Sequence, residues 1–273
     1  MRRLIILVII FCLVWVGYQQ EMNRQGVVFL AVGQGDSTLI LLPQGLEILV
    51  DCGPDATVIS RLGRYLPFFV QEIDYLFITH ADLDHYGGCE EVLRRFEVKN
   101  IVLDPRQTSL APAWQSLQRA LTAEGVRVIT DTKEAQWVFS AGRLQFFFIT
   151  PDKIDANTTS LVFQLIFPRF RILFMADLGQ AEEKKLQEKY GEILRSDILK
   201  VGHHGSAYSS EEGFLKTVGP AQAVIMVGKN NFGHPSVRVL KRLERQGAEI
   251  WQTDEEGDII VTIKRDRYEI QKK

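Results

Sequence analysis

Residues 79–88 read Thr79-His80-Ala81-Asp82-Leu83-Asp84-His85-Tyr86-Gly87-Gly88 and place two histidines and two aspartates within six positions. The apolar run 73–78 before them reads as a buried strand, and 90–96 after them as a helix. The cluster therefore sits on a strand-to-helix turn. Imidazole and carboxylate are the donors that borderline and hard divalent cations take. His80 and Asp82, two apart on an extended turn, can face one ion, and the adjacent Asp84-His85 pair can reach another. Gly87 and Gly88 let the following helix pack closely against the turn. The chain has five histidines, and the other three, His203, His204 and His234, also stand in polar or Gly-rich segments.

Outward from this turn the pattern mixes short strands and helices. Strands are expected at 27–32 and 37–42, split by Gly33-Gln34-Gly35, and at 47–51, stopped by Cys52-Gly53-Pro54. A helix is expected at 57–66, a strand at 100–103 and a helix at 113–123. Further strands are read at 126–129, 137–139 and 144–149, then a hairpin, 160–167 with 171–175, turning at Pro168-Arg169. Helices at 180–190, 211–217 and 237–246 alternate with strands at 197–201 and 223–227, and strands at 249–252 and 258–264 follow. Two β-rich halves, each followed by helices, give an α+β class: two packed mixed sheets with helices on the outer faces. No linker interrupts residues 25–273, which read as one domain.

Residues 1–24 differ from the rest. Met1-Arg2-Arg3 precedes the charge-free apolar run 4–17, the layout of a signal sequence or N-terminal anchor. Trp15 and Tyr18 stand where a cleavage site wants small residues, so an uncleaved anchor is favoured over secretion. Arg2 and Arg3 on the cytoplasmic side would put the rest of the chain outside the membrane. Of three cysteines, Cys12 lies in the apolar run; Cys52 and Cys89 could pair outside the cell, but are read in preference as two small buried residues. The net charge of −2 and pI near 6.2 argue mildly against a tight, non-specific grip on nucleic acid.

The run from His80 to Gly88 resembles the HxHxDH signature of the metallo-β-lactamase superfamily, with Asp82 in place of the middle histidine. That variant is similar to the extracellular hydrolase domain of the ComEC competence proteins and their stand-alone relatives. Other segments agree with that family: Val32-Gly33-Gln34-Gly35-Asp36, Ile48-Leu49-Val50-Asp51-Cys52-Gly53 and Asn157-Thr158-Thr159-Ser160-Leu161-Val162. So do Phe174-Met175-Ala176-Asp177 (Ala176 standing for a glycine), Lys200-Val201-Gly202-His203-His204-Gly205-Ser206 and Gly233-His234-Pro235.

The resemblance implies a two-metal αββα hydrolase. His80 and Asp82 would bind one ion; Asp84, His85 and one of His203 or His204 the other; Asp177 would bridge them. Asp51 would orient a metal-bound histidine by a hydrogen bond. Asp36 and Gln34 either do similar work or form a plain turn. His234 would contact a substrate phosphate or its leaving oxygen, or else be a capped loop histidine. Ser206, Ser209 and Ser210 are open to phosphate contact, with Ser209 read more simply as the cap of the next helix. Many superfamily members add a histidine from the middle of the chain; here that region offers Asn157. Three carboxylates on the pair make the site harder than an all-histidine one, which leaves Zn²⁺, Mn²⁺ and Mg²⁺ as candidates.

Two such ions about 3.5–4 Å apart lower the pKa of a shared water towards about 7 and clamp both oxygens of an in-line displacement. The resemblance implies a phosphodiesterase or nuclease outside the membrane, with DNA as the favoured substrate. The alternatives are an esterase of cell-envelope phosphodiesters, of phosphorylcholine or teichoic-acid type, and a non-catalytic metal-containing binding module. The missing middle histidine argues against β-lactam hydrolysis. The sequence identifies no protein partner.

Overall fold

The computed structural model describes residues 25–123, 125–132, 136–139, 142–264 and 267–273. The expected anchor at 1–24 lies outside them. Among the described residues no helix is long and apolar enough to cross a membrane.

The first half comprises β1 (Gly26–Phe29), β2 (Thr38–Leu42), β3 (Leu46–Val50), α1 (Thr57–Leu62), β4 (Glu72–Phe77), α2 (Leu83–Tyr86), α3 (Cys89–Arg95), β5 (Glu97–Val102), α4 (Pro112–Ala123) and β6 (Arg127–Ile129). The second comprises β7 (Gln136–Phe139), β8 (Gly142–Phe147), β9 (Val162–Ile166), β10 (Arg171–Phe174), α5 (Gln180–Tyr190), β11 (Ile198–Lys200), α6 (Glu212–Val218), β12 (Gln222–Ile225), α7 (Val237–Arg245), β13 (Glu249–Gln252) and α8 (Thr253–Glu256). β14 (Ile259–Ile263) and β15 (Tyr268–Lys272) then return to the first sheet.

Among the described residues the strands form two sheets, ordered β15-β14-β1-β2-β3-β4-β5-β6 and β13-β12-β11-β10-β9-β8-β7. Each sheet joins an antiparallel part to a parallel part. In the first, β1, β2 and β3 are antiparallel while β3, β4, β5 and β6 run parallel. In the second, β7 to β10 are antiparallel and β10 to β13 parallel.

Period-two alternation explains the layering. Ile48 and Val50 of β3, with Ile172 and Phe174 of β10, point into the core between the sheets. Their neighbours point outwards: Leu49 packs with Val58, Leu62 and Val92 of the helices over the first sheet, and Leu173 with Leu186, Phe214 and Leu243 over the second. Strands covered on both faces read as continuous apolar runs, which is why the sequence showed runs rather than alternation. The result is the expected αββα sandwich.

Two features differ from expectation. Cys52 and Cys89 are not merely small buried residues: they form a disulfide, with Cα atoms 5.3 Å apart, tying the end of β3 to the start of α3. The reason lies in close packing next to it, since Cys52 N donates to His85 O at 2.6 Å and a Cβ on Gly87 would overlap the Pro54 carbonyl oxygen. The second is β15, absent from the sequence expectation. It is a short edge strand in which only Tyr268 and Ile270 face the core, between charged and polar neighbours.

Candidate metal centre

The candidate residues meet where strands end, at the carboxyl side of the parallel strands, the usual place for sites in such sheets. His80 follows β4, Asp51 follows β3 and Asp177 follows β10. His203 and His204 occupy a 3₁₀ turn, Gly202–Gly205, after β11. Asp36 sits in the β1–β2 connection. There Gly35, at φ 141°, passes so close to α2 that a Cβ would overlap the Asp84 carbonyl oxygen.

Asp177 is at the middle of the cluster. Its Oδ1 is 3.4 Å from His85 Nε2, and its Oδ2 is 3.3 Å from His204 Nε2, 3.8 Å from His80 Nε2 and 4.0 Å from His203 Nε2. Asp84 Oδ2 is 3.2 Å from His204 Nε2, and Asp82 Oδ2 is 3.6 Å from His80 Nε2. The structure thus brings together His80, Asp82, Asp84, His85 and Asp177 with both His203 and His204, of which one was expected as a ligand.

The rings are aimed by hydrogen bonds on their far sides. Asp51 Oδ2 contacts His85 Nδ1 at 2.8 Å and accepts from Thr79 Oγ1 at 2.7 Å, while Oδ1 accepts from Thr79 N at 2.8 Å. His204 Nδ1 donates to the Met226 carbonyl at 2.8 Å, which turns Nε2 towards Asp84 and Asp177. Of the adjacent pair, His204 is buried and held this way, whereas His203 is 30% exposed and stands further out. Asp51, Ala176, His203 and His204 all have left-handed backbones, with φ of 58°, 46°, 51° and 50°. Non-glycine residues reach that region at a cost, and it is concentrated at this site.

A cation fits the cluster. His80 Nε2, His85 Nε2, His204 Nε2, Asp177 Oδ1 and Asp36 Oδ1 are all buried without a hydrogen-bond partner. Buried polar atoms rarely go unsatisfied, and here the orphans are imidazole nitrogens and carboxylate oxygens. One atom each from Asp36, His85, Asp177 and His204 lies within 4.8 Å of the others. Burial alone would push His85 and His204 down, but the Asp177, Asp36 and, for His85, Asp51 carboxylates hold both well above the usual imidazole range. Burial would push Asp177 up, but His204 and His85 hold it well below the usual carboxylate range. The positive charge these protons supply is what divalent ions bring when they replace them.

Two residues exceed the sequence reading. Asp36, read as an orienting or turn residue, is buried within the ligand-competent cluster. Lys200, quoted only as part of a motif, is buried at the end of β11; its ammonium pairs with Asp36 and lies 4.0 Å from Asp177 Oδ1. A lysine ending the apolar run Ile198-Leu199, just before two histidines, was the available signal. Gln34 does not face the cluster: its Oε1 accepts from Gly228 N at 3.4 Å.

The middle segment lies against the site without an imidazole. Leu161 N donates to Thr79 O at 2.8 Å and Asp177 N to Ser160 Oγ at 3.4 Å. Asn157 opens a 3₁₀ turn there and keeps a buried, unpartnered Oδ1. The expectation that Ser209 caps the following helix is corrected. Glu211 caps α6, accepting from Gly213 N at 2.6 Å, because Ser209 is buried and donates to Gly202 O at 2.8 Å. His234 lies at the rim, its ring 5.5 Å from that of His203 and 6.5 Å from that of His204. Burial and these two neighbours lower its pKa.

Residues 30–229 match the profile of the metallo-β-lactamase superfamily. With this fold and this cluster, the chain belongs to that superfamily. Among curated proteins it is similar to ComE operon protein 3 of Bacillus subtilis (strain 168), 32% identical over 249 residues, covering 84% of this chain and 32% of that one. It is also similar to competence protein ComA of Neisseria gonorrhoeae, 30% identical over 254 residues, covering 89% of this chain and 33% of that one. The chain thus spans about a third of the length of these relatives. Among solved structures, the metallo-β-lactamase fold protein YhfI from Bacillus subtilis superposes with a TM-score of 0.60 at 12% identity, covering 87% of this chain and 98% of that one. The family and the buried His/Asp cluster together imply divalent metal ions.

Proposed function

We propose that this chain is a two-metal phosphodiester hydrolase that cleaves DNA on the outer side of a membrane, with residues 1–24 as its anchor. The observation that carries the chemistry is the set of buried, unpartnered Nε2 atoms of His80, His85 and His204 around Asp177. His80 and Asp82 would hold one ion and Asp84, His85 and His204 the other, with Asp177 available to both. Bound there, divalent ions would supply Lewis acidity and lower the pKa of a coordinated water.

The protein's own groups do the rest. Asp51 and Thr79 fix the His85 ring, and the Met226 carbonyl fixes that of His204. Lys200 offsets part of the carboxylate charge through Asp36. His234, partly buried beside His203, is placed to donate a hydrogen bond to a phosphate oxygen or to the leaving oxygen. Similarity to competence proteins favours DNA over other phosphodiesters. The Cys52–Cys89 disulfide favours an oxidising compartment, as export requires.

The test uses the full chain, stripped of metal and given Mn²⁺, Mg²⁺ or Zn²⁺ with labelled single- and double-stranded DNA, and a chromogenic phosphodiester in parallel. Metal-dependent DNA cleavage that Asp84→Ala loses is the expected result. Cleavage of the small ester but not of DNA points to an envelope phosphodiester instead. Metal binding without turnover of either points to a binding module.

A further inference from the structure

The loop between β12 and α7 carries His234 and is pinned by one side chain. Asn230 Oδ1 accepts from Phe232 N at 3.0 Å and His234 N at 3.1 Å, while its Nδ2 donates to Gly228 O at 2.9 Å and His234 O at 2.8 Å. A loop held at four points presents its side chains in fixed places. What it presents outward is a ring, with a cation before it in sequence and another just after the loop. Phe232 is 74% exposed. Lys229 and Arg238, the latter in the first turn of α7, are exposed, and neither has an ion-pair partner among the described residues.

Position distinguishes this ring from an ordinary surface phenylalanine. Its centroid is 5.8 Å from the His234 ring at a tilt of 32°, and His234 is 5.5 Å from His203. Phe232 therefore stands one imidazole away from the ring of a residue facing Asp177. By contrast Phe68, 85% exposed, lies before β4, whereas His80 follows that strand's other end.

We infer that Phe232 is a stacking platform for an unpaired nucleobase next to the scissile phosphate, with Lys229 and Arg238 taking the flanking phosphates. This rests on the phosphodiesterase reading above and narrows it to single-stranded nucleic acid. A base inside a duplex has both faces covered by its neighbours, whereas an unpaired base offers a face to an aromatic ring. The two cations meet the backbone, a contact that every phosphodiester polymer shares. The ring meets what only a nucleic acid has. A polyol-phosphate polymer would use the cations and leave Phe232 idle.

Binding of labelled oligothymidylate, and of the same strand with abasic sites, is followed by fluorescence anisotropy on the full chain without added metal, so that no turnover intervenes. Phe232→Ala is expected to weaken binding of the intact strand roughly 5- to 150-fold, the effect of losing one stacked base. Phe232→Trp retains binding, and Phe232→Leu, which keeps apolar bulk without an aromatic face, behaves like alanine. The abasic strand binds Phe232→Ala and the parent alike, and Phe68→Ala changes nothing. Parental affinity of Phe232→Ala for the intact strand, or equal losses on intact and abasic strands, overturns the stacking platform while leaving the hydrolase reading intact. A parent that binds neither strand yet hydrolyses the chromogenic ester removes the nuclease reading and this one together.

Discussion

Replacing Asp51 by Asn changes one atom in kind and almost nothing in shape. Asn also tolerates the left-handed backbone, φ 58°, found at this position. Its carbonyl oxygen can still accept from Thr79 N, the 2.8 Å bond made by Oδ1. An NH₂ group then takes the place of Oδ2, 2.8 Å from His85 Nδ1. That amide donates, so Nδ1 must accept, and the imidazole proton moves to Nε2. Nε2 is the atom that faces Asp177 at 3.4 Å, and once protonated it cannot ligate a cation. Loss of such an orienting partner lowers metal affinity by about 10- to 100-fold, or about 1.4–2.7 kcal/mol. Thr79 Oγ1, which donates to Oδ2 at 2.7 Å, must reverse that bond and accept from the amide, and exchanging a charge-assisted bond for a neutral one costs the metal-free fold about 1 kcal/mol. A competition titration against a chromophoric chelator measures the first effect, and urea denaturation with chelator present measures the second. Parental metal affinity in Asp51→Asn would refute the tautomer argument and leave Asp51 a structural residue of the turn.

Three other outcomes follow from the same geometry. Ala176→Gly relieves the left-handed backbone at φ 46° and should stabilise the fold by about 0.5–1 kcal/mol, because the steric relief exceeds the added freedom of the unfolded chain; a lower urea midpoint would contradict it. Asp258 is buried and accepts from Ala31 N at 2.8 Å and the Tyr65 hydroxyl at 2.9 Å, with the partly exposed Arg61 and Arg64 at 3.3 and 3.4 Å, so Asp258→Ala, which leaves the buried donors unsatisfied, should cost about 1–3 kcal/mol by urea denaturation. Burial and the Asp74 carboxylate push Glu47 up to about 7, so the folded state holds a proton that the unfolded chain loses near pH 4.5. Its contribution to stability is therefore present below about pH 4.5 and lost as pH rises through about 7, so Glu47→Gln should raise Tm relative to the parent at about pH 8 and not at about pH 4.

The metal turn was legible because its ligands are close in sequence and chemically unusual. Asp177, His203, His204 and His234 were legible only through resemblance, since nothing local says that strands 100 residues apart end at one point. Asp36 and Lys200 escaped for a related reason. An Asp after Gly33-Gln34-Gly35 looks like a turn residue, and a lysine in a strand looks solvated, until burial brings the two together. The disulfide was open as an alternative but not preferred, because one possible pair of cysteines does not by itself show that their Cα atoms come within bridging distance. Ser209 was assigned as a cap from position alone, whereas its hydroxyl is turned inward to Gly202.

The ligands are divided between the two sheets. His80, Asp82, Asp84 and His85 hang from the first, Asp177, His203 and His204 from the second. A bound cation would then be a rivet through the sandwich, fastening two halves that otherwise adhere through their apolar faces and a few polar links, such as Leu161 N to Thr79 O and Lys200 to Asp36. Neither half owns a site. The metal-binding geometry is a property of their docking, and any damage that lets the sheets slide by a fraction of an ångström would loosen the site well before the fold is lost.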